Sequence, residues 1–211
     1  MSTAFYRAVR AVGTPLIQFA SRPCVLHPER VPPTGPLLIV ANHESVYDAM
    51  ILTACTPRIV RWIGAGESFR HPLGQWFLGN MLAHPIDRSH PDPALVRTLL
   101  ADLNAGEAVG IFPQGAVQDP TALQTCGWRL PDSIARLARI ANVSVLPCVV
   151  LGSSKFAHWN SWLPGRGTRW AVAFGTPVRC PDSRQPASVA CWLEEMADSL
   201  KTLHTEALPH V

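Results

Sequence analysis

Residues 37–48 read Leu37-Leu38-Ile39-Val40-Ala41-Asn42-His43-Glu44-Ser45-Val46-Tyr47-Asp48, a continuous apolar run that gives way to polar chemistry at one residue. Pro36 precedes the run and Asn42 ends it, the pattern of a strand buried on both faces, as in a parallel sheet. Ala49, Met50, Leu52 and Thr53 continue at helical spacing, so Glu44, Ser45 and Asp48 fall in the junction or the first turn of a helix. Acidic and hydroxyl side chains there satisfy free backbone N–H groups. Open α/β sheets place ligands at strand-to-helix corners of this kind.

His43 and Asp48 are five residues apart, which lets a carboxylate in the first turn reach back to an imidazole in the preceding loop. An imidazole that donates Nδ1–H to a carboxylate is held in one tautomer, and Nε2 is left to take a proton. In a chain with eight histidines such a pair by itself fits helix capping as well as catalysis, so the surrounding sequence has to decide between them.

The surroundings supply further motifs. Asn42-His43 with Asp48 matches Asn-His-x-x-x-x-Asp at a strand end. Ala83-His84-Pro85-Ile86-Asp87-Arg88-Ser89 is an apolar stretch closing in Asp-Arg, Ile111-Phe112-Pro113-Gln114-Gly115 is close to Phe-Pro-Glu-Gly, and Val145-Leu146-Pro147-Cys148-Val149-Val150 is an apolar strand carrying proline. In this order and spacing the chain resembles the PlsC-like glycerolipid acyltransferases from about Leu37 to Val150. The resemblance implies transfer of an acyl group from a thioester, on coenzyme A or acyl carrier protein, to a lipid hydroxyl. It implies His43 as general base, Asp48 as its partner, and a substrate site shaped by Asn42, Ser45, Arg88, Phe112, Gln114 and Gly115. Arg88 corresponds to the arginine that binds the acceptor's phosphate in the family, a task suited to a planar guanidinium. No cofactor is implied.

The third motif departs from the family's Phe-Pro-Glu-Gly-Thr-Arg. Gln114 replaces the glutamate, and Ala116-Val117 replace the threonine and arginine. An amide can still hold the loop, but one phosphate-gripping cation is gone, unless Arg88 or Arg129 compensates. The expected acceptor is a lysophospholipid or glycerol-phosphate-type lipid. The altered motif leaves open a non-phosphate acceptor such as a glycolipid or carotenoid glycoside, and, in other classes, a non-catalytic lipid-binding protein or a thioester hydrolase. No Gly-x-Ser-x-Gly elbow supports a serine hydrolase.

Working outward, the 211 residues suit one α/β domain, a mostly parallel central sheet flanked by helices, with an amphipathic helix at residues 1–22 and the acyltransferase domain at 23–211. Strands are expected over residues 58–64, 108–112, 143–150 and 170–174. Pro147 marks an edge strand or a local break in pairing. Asp92-Pro93 opens a helix that buries Val96, Leu99, Leu100 and Leu103 and stops at Gly106. Two more helices are expected, with Ile134, Leu137, Ala138 and Ala141 inward in one and Val189, Trp192, Met196, Leu200 and Leu203 inward in the other. Residues 117–130 form a long polar loop, a candidate lid, and Trp159, Trp162, Pro164 and Gly165 punctuate an irregular segment. Trp62, Phe69, Trp76 and Phe77 are either core or the wall of an acyl-chain tunnel.

Hydrophobic residues make up 47% of the chain and charged residues 16%, a balance tilted toward apolar. A net charge of +3 is too small to point to nucleic acid and fits work beside anionic lipid or an anionic carrier. The six cysteines lack any Cys-x-x-Cys pair; they read as small core residues in a reducing compartment, Cys55, Cys148 and Cys191 among them, and no metal site is expected. In residues 1–22, Phe5, Ala8, Val9, Val12, Leu16 and Phe19 share one face, and Arg7, Arg10, Thr14 and Gln18 the other. This is too short and interrupted for a transmembrane span. It fits a helix lying in a bilayer interface, which would make the protein peripheral on the cytoplasmic face, or a helix packed on the protein's own core.

Overall fold

A computed structural model describes residues 2–87, 92–118, 128–158, 161, 167–181 and 185–211. The irregular segment around Trp159 and Trp162, most of the polar loop and Arg88 lie outside the described residues.

The strands are β1 (Ser21–Leu26), β2 (Leu37–Ala41), β3 (Val60–Ala65), β4 (His84–Ile86), β5 (Ala108–Ile111), β6 (Ser144–Leu151), β7 (Thr168–Phe174) and β8 (Val178–Arg179). They form one sheet in the order β1-β7-β6-β2-β5-β3-β4, with β8 beside β6. Every pairing is parallel except β6 with β7 and β6 with β8. The helices are α1 (Ser2–Ala20), α2 (Asp48–Cys55), α3 (Pro72–Asn80), α4 (Pro93–Asn104), α5 (Asp132–Ala141) and α6 (Pro186–Ala207).

β2 lies at the centre, buried along its whole length. Its alternate residues feed two cores. Leu38 and Val40 pack with Leu99 and Leu103 of α4, Ile134 and Leu137 of α5, and Trp192 and Met196 of α6. Leu37, Ile39 and Ala41 pack with Ile17 of α1, Ile51 and Leu52 of α2, and Trp62 of β3. The continuous apolar run is thus explained by coverage on both faces. Val40 stands opposite Ile111 of β5 and Pro147 of β6, so the loops after β2 and β5 leave the sheet side by side.

Several local expectations meet the structure directly. Asp92 caps α4, its Oδ1 accepting from Ala94 N at 2.7 Å, and Gly106 beyond the helix end adopts a positive φ of 84°. Val96, expected inside, is 46% exposed, because α4 turns a narrower stripe to the core than its apolar pattern spans. Pro147 is in an interior strand, not an edge. It sits in the gap where β6 changes partner from β8 to β7, and its carbonyl accepts from Gly175 N at 2.8 Å.

α1 runs through Pro15 without ending. It packs on the protein's own core through Tyr6 and Ile17. The Tyr6 hydroxyl accepts from Val60 N at 3.1 Å and donates to Thr53 Oγ1 at 3.4 Å, and Arg10 donates to the Thr56 carbonyl at 3.1 Å. Val12, Leu16 and Phe19 are left outward, the last two 60% and 75% exposed. Among the described residues no helix is long and apolar enough to cross a membrane.

The described cysteines are free thiols. Burial pushes the Cys55 thiol up to about 12 and raises Cys148 as well, as befits inert core residues. Cys191, expected inside, is exposed on α6.

Candidate active site

Asp48 is the first residue of α2 and is wholly buried. Its Oδ2 sits 2.8 Å from His43 Nδ1 and accepts from Glu44 N at 2.7 Å and Ser45 N at 2.9 Å. An oxygen that already accepts from two backbone N–H groups faces Nδ1 as an acceptor, which places the imidazole proton on Nδ1. Nε2 is then the nitrogen available as a base. Oδ1 is buried with no hydrogen-bond partner among the described residues.

The turn that places these groups is fixed on both sides. Asn42 makes a reciprocal pair with Val150 of β6, its amide nitrogen donating to the carbonyl and its oxygen accepting from the N–H, each at 2.7 Å. Ser45 Oγ accepts from Tyr47 N at 3.2 Å, and the Ser45 carbonyl accepts from Asp48 N at 3.1 Å. Asn42 and Ser45 are buried and engaged with backbone, so the structure places them beneath His43 as its scaffold. On the open side, Gln118 N donates to the His43 carbonyl at 2.8 Å.

His43 is set by a stack as well as by a hydrogen bond. Its ring lies 4.2 Å from that of Phe112 at 14°, and Phe112 in turn lies 5.1 Å from Trp62 at 14°. Trp62 donates Nε1–H to Thr53 Oγ1 at 3.0 Å, the same oxygen that Tyr6 reaches from α1. A line of contacts therefore runs from α1 through α2 and β3 to the imidazole. Gly110 makes room for it, since a Cβ there would come 2.3 Å from the Trp62 ring. An isolated glycine in an apolar strand was the sequence signal for that close approach, although the stack itself depends on the register of β5 beside β3.

A cavity of about 420 Å³ opens beside this stack, lined by His43, Trp62, Phe77, Ile86, Phe112 and Gly115, with Val117 at the turn after β5. Of the aromatic cluster expected in core or tunnel, Trp62 and Phe77 line the cavity. Phe69 packs against Gly64, and Trp76 is exposed, edge-on to Phe5 of α1. Gly115 holds a positive φ of 70° and its N–H donates to the Phe112 carbonyl at 3.1 Å, which turns the chain out of β5. Gln114 Oε1 is buried without a hydrogen-bond partner among the described residues. Trp128 packs against His204 of α6, and Arg129 beside it is exposed. Among the described residues no three His, Cys, Asp or Glu side chains converge as a metal-binding group.

Glu44 is the functional-looking residue whose setting the sequence did not disclose. It is only 4% exposed, and its Oε2 accepts from Gly152 N at 3.0 Å beyond the end of β6. Burial first, and the Asp48 charge second, push its carboxyl up from 4.5 to about 7. Nothing in the sequence distinguishes a glutamate facing solvent at this corner from one folded beneath it.

With this geometry in place, comparison with known proteins gives a consistent answer. The acyltransferase family model matches residues 22–151, a span that holds His43, Asp48, Phe112 and Gly115. The chain belongs to the acyltransferase family. It is 30% identical over 92 residues to a 1-acyl-sn-glycerol-3-phosphate acyltransferase of Bacillus subtilis, covering 43% of this chain and 46% of that protein. It is 32% identical over 119 residues to a lyso-ornithine lipid O-acyltransferase of Pseudomonas aeruginosa, covering 56% of this chain and 44% of that protein. The chain thus spans about half the length of the curated relatives it matches. The crystal structure of the 1-acyl-sn-glycerophosphate (LPA) acyltransferase PlsC from Thermotoga maritima shares the fold, with a TM-score of 0.70 at 17% identity over 97% of this chain and 80% of that one.

The Glu44 setting makes a stability prediction. Because the folded carboxyl titrates near 7 and the ordinary value is 4.5, the folded state holds the proton more tightly than the unfolded chain. The contribution of Glu44 to stability is therefore fully present below about pH 4.5 and is lost as pH rises toward and through 7. Urea denaturation of wild type and Glu44→Gln, from about pH 4 to about pH 8, should show the wild type losing about 3 kcal/mol relative to the variant across that window. Parallel curves would show that Glu44 is not penalised by burial.

Proposed function

We propose that this protein transfers a fatty acyl group from an acyl thioester, on coenzyme A or acyl carrier protein, to a hydroxyl of a lysolipid, with His43 as general base. The observation that carries the reading is the His43–Asp48 pair at the wall of an apolar cavity. His43 Nε2 takes the hydroxyl proton as the oxygen attacks the thioester carbonyl. The tetrahedral intermediate collapses with loss of the thiolate, and the imidazolium returns the proton to the sulfur. Asp48 balances the imidazolium while it exists. No acyl-enzyme forms, and no cofactor enters the reaction.

Phe112, Gly115 and Gln114 would shape the substrate site around His43, with Asn42 and Ser45 supporting it and Arg88 gripping the acceptor head. Val117 stands at the cavity wall, where the family's third motif carries its arginine. That loss of a cation favours a second acceptor class, a lipid whose head is not a simple glycerol phosphate, a glycolipid among them. Similarity to a lyso-ornithine lipid O-acyltransferase fits the same reading.

The lipid acceptor also accounts for α1. Leu16 and Phe19 are outward on this helix, and Val46, Met50, Leu73 and Trp76 add exposed apolar side chains from α2, its preceding turn and α3. Residues 1–22 would seat the protein on the cytoplasmic face of a membrane as a peripheral enzyme, with residues 23–211 carrying the chemistry.

Incubation with palmitoyl-CoA or palmitoyl carrier protein and a panel of lysophospholipids, lyso-ornithine lipid and glycolipids should yield an acylated lipid detectable by mass spectrometry. His43→Ala should lower the rate by about 10²–10⁴-fold. Free fatty acid without acylated lipid would replace this reading with a thioesterase, and binding without donor consumption with a lipid-binding protein. In flotation with vesicles containing anionic lipid, the wild type should rise with the vesicles and the Leu16→Glu/Phe19→Glu variant should stay behind. Equal flotation of the two would exclude α1 as the membrane contact.

A further inference from the structure

A second apolar space lies behind the first. It is a crevice of about 510 Å³ between α1 and the α2–α3 side, lined by Gly13, Leu16, Ile17, Tyr47 and Ile51 among others. His43 is not on its wall. The two spaces share Met50, Thr53, Phe77 and Met81, so they adjoin along α2 and the α3 end. Both volumes fall within the roughly 300–1,000 Å³ of ordinary ligand sites.

We propose that the crevice under α1 holds the hydrocarbon tail of the acceptor lysolipid, while the cavity at His43 takes the acyl chain being transferred. The assignment rests on the acyl-transfer reading. Acylation of a lysolipid requires two hydrocarbon chains at one base at the same time, one on the thioester and one already on the acceptor. A single cavity of about 420 Å³ beside His43 offers room for one of them. The crevice adjoins that cavity at the shared residues and has the outward Leu16 and Phe19 on its lining. A tail arriving from a bilayer beneath α1 meets the crevice first, whereas the thioester carbonyl has to lie against His43. Two of the polar side chains at the crevice are engaged elsewhere, Arg10 donating to the Thr56 carbonyl and Thr53 Oγ1 accepting from Trp62 Nε1 and Tyr6, while Thr14 Oγ1 is buried with no hydrogen-bond partner among the described residues and would stay unmet beside a hydrocarbon occupant.

Gly13 gives a means of testing this. It lines the crevice, and a Cβ added there meets nothing within 4 Å. Gly13→Phe therefore adds a ring at the crevice rim without displacing backbone, and it replaces a poor helix former within α1.

The experiment is photo-crosslinking of the full chain with tail-labelled probes, followed by peptide mapping. The acceptor probes are a lysophosphatidate and a monoacylglycerol, each with a diazirine in mid-tail, and the donor probe is a palmitoyl-CoA with the diazirine at the same depth. The acceptor probes should label residues 9–20, which line the crevice alone, and the donor probe residues 62–65 and 111–117, which line the His43 cavity alone, while the shared Met50, Thr53, Phe77 and Met81 do not discriminate. Gly13→Phe should cut acceptor labelling of 9–20 about ten-fold, the loss expected when two methylenes are kept from burial. Donor labelling should keep its wild-type pattern, and a thermal melt no lower than that of the wild type would show that the change is not unfolding. Donor labelling of residues 9–20 would mean that the crevice is the far end of one long acyl tunnel, which overturns the proposal. So would absence of acceptor labelling at α1, or its persistence in Gly13→Phe. Crosslinking needs no turnover, so a protein that binds both probes but fails to transfer would refute the acyl-transfer reading without bearing on where the tails lie.

Discussion

One carboxylate oxygen, Asp48 Oδ2, organises the corner. It gathers the His43 imidazole and the N–H groups of Glu44 and Ser45, so a single negative charge fixes the backbone turn and the tautomer of the base together. Charge-assisted hydrogen bonds of this length in a buried setting are among the stronger polar interactions available to a protein. Removing the charge would release the turn and the ring at once. That explains why the motif needs its carboxylate at the first position of a helix: there the N-terminal end of α2 favours an anion, and the loop leading into the helix passes within reach.

The sheet converts this local corner into a site. β2 is central, and its register with β5 brings His43 beside Phe112. Asn42 ties the same corner to β6, and Glu44 ties it to Gly152 just beyond that strand. The line from Tyr6 through Thr53, Trp62 and Phe112 to His43 extends the support to α1, the helix that carries the outward apolar residues. That helix is therefore linked to the imidazole through rings and hydroxyls that have little freedom to shift.

Much of this was legible because it is local. The strand-helix corner, the His43–Asp48 spacing, the Asp92 cap and the inward residues of α5 and α6 follow from periodicity and short-range hydrogen bonding. What escaped is non-local. No local pattern states which side of α1 packs on the core, and tertiary packing selects Tyr6 and Ile17 over Leu16 and Phe19. The Trp62–Phe112–His43 stack requires the pairing of β3 with β5, which no local pattern states. Burial of Glu44 depends on Gly152, 108 residues away. Val96 and Cys191 face outward although they continue apolar patterns, since a helix on a sheet buries a stripe and not a half-cylinder.

The central claim is that Asp48 holds His43 with its proton on Nδ1 and leaves Nε2 as the base. ¹⁵N NMR of histidine-labelled protein, with His43 assigned by comparison with His43→Ala, tests it directly. The structure predicts a protonated Nδ1 and an unprotonated Nε2 for the neutral ring in the wild type, and loss of that fixed tautomer in Asp48→Asn. A neutral His43 protonated on Nε2 in the wild type would contradict it, because the nitrogen facing the cavity would then have no lone pair to accept a proton.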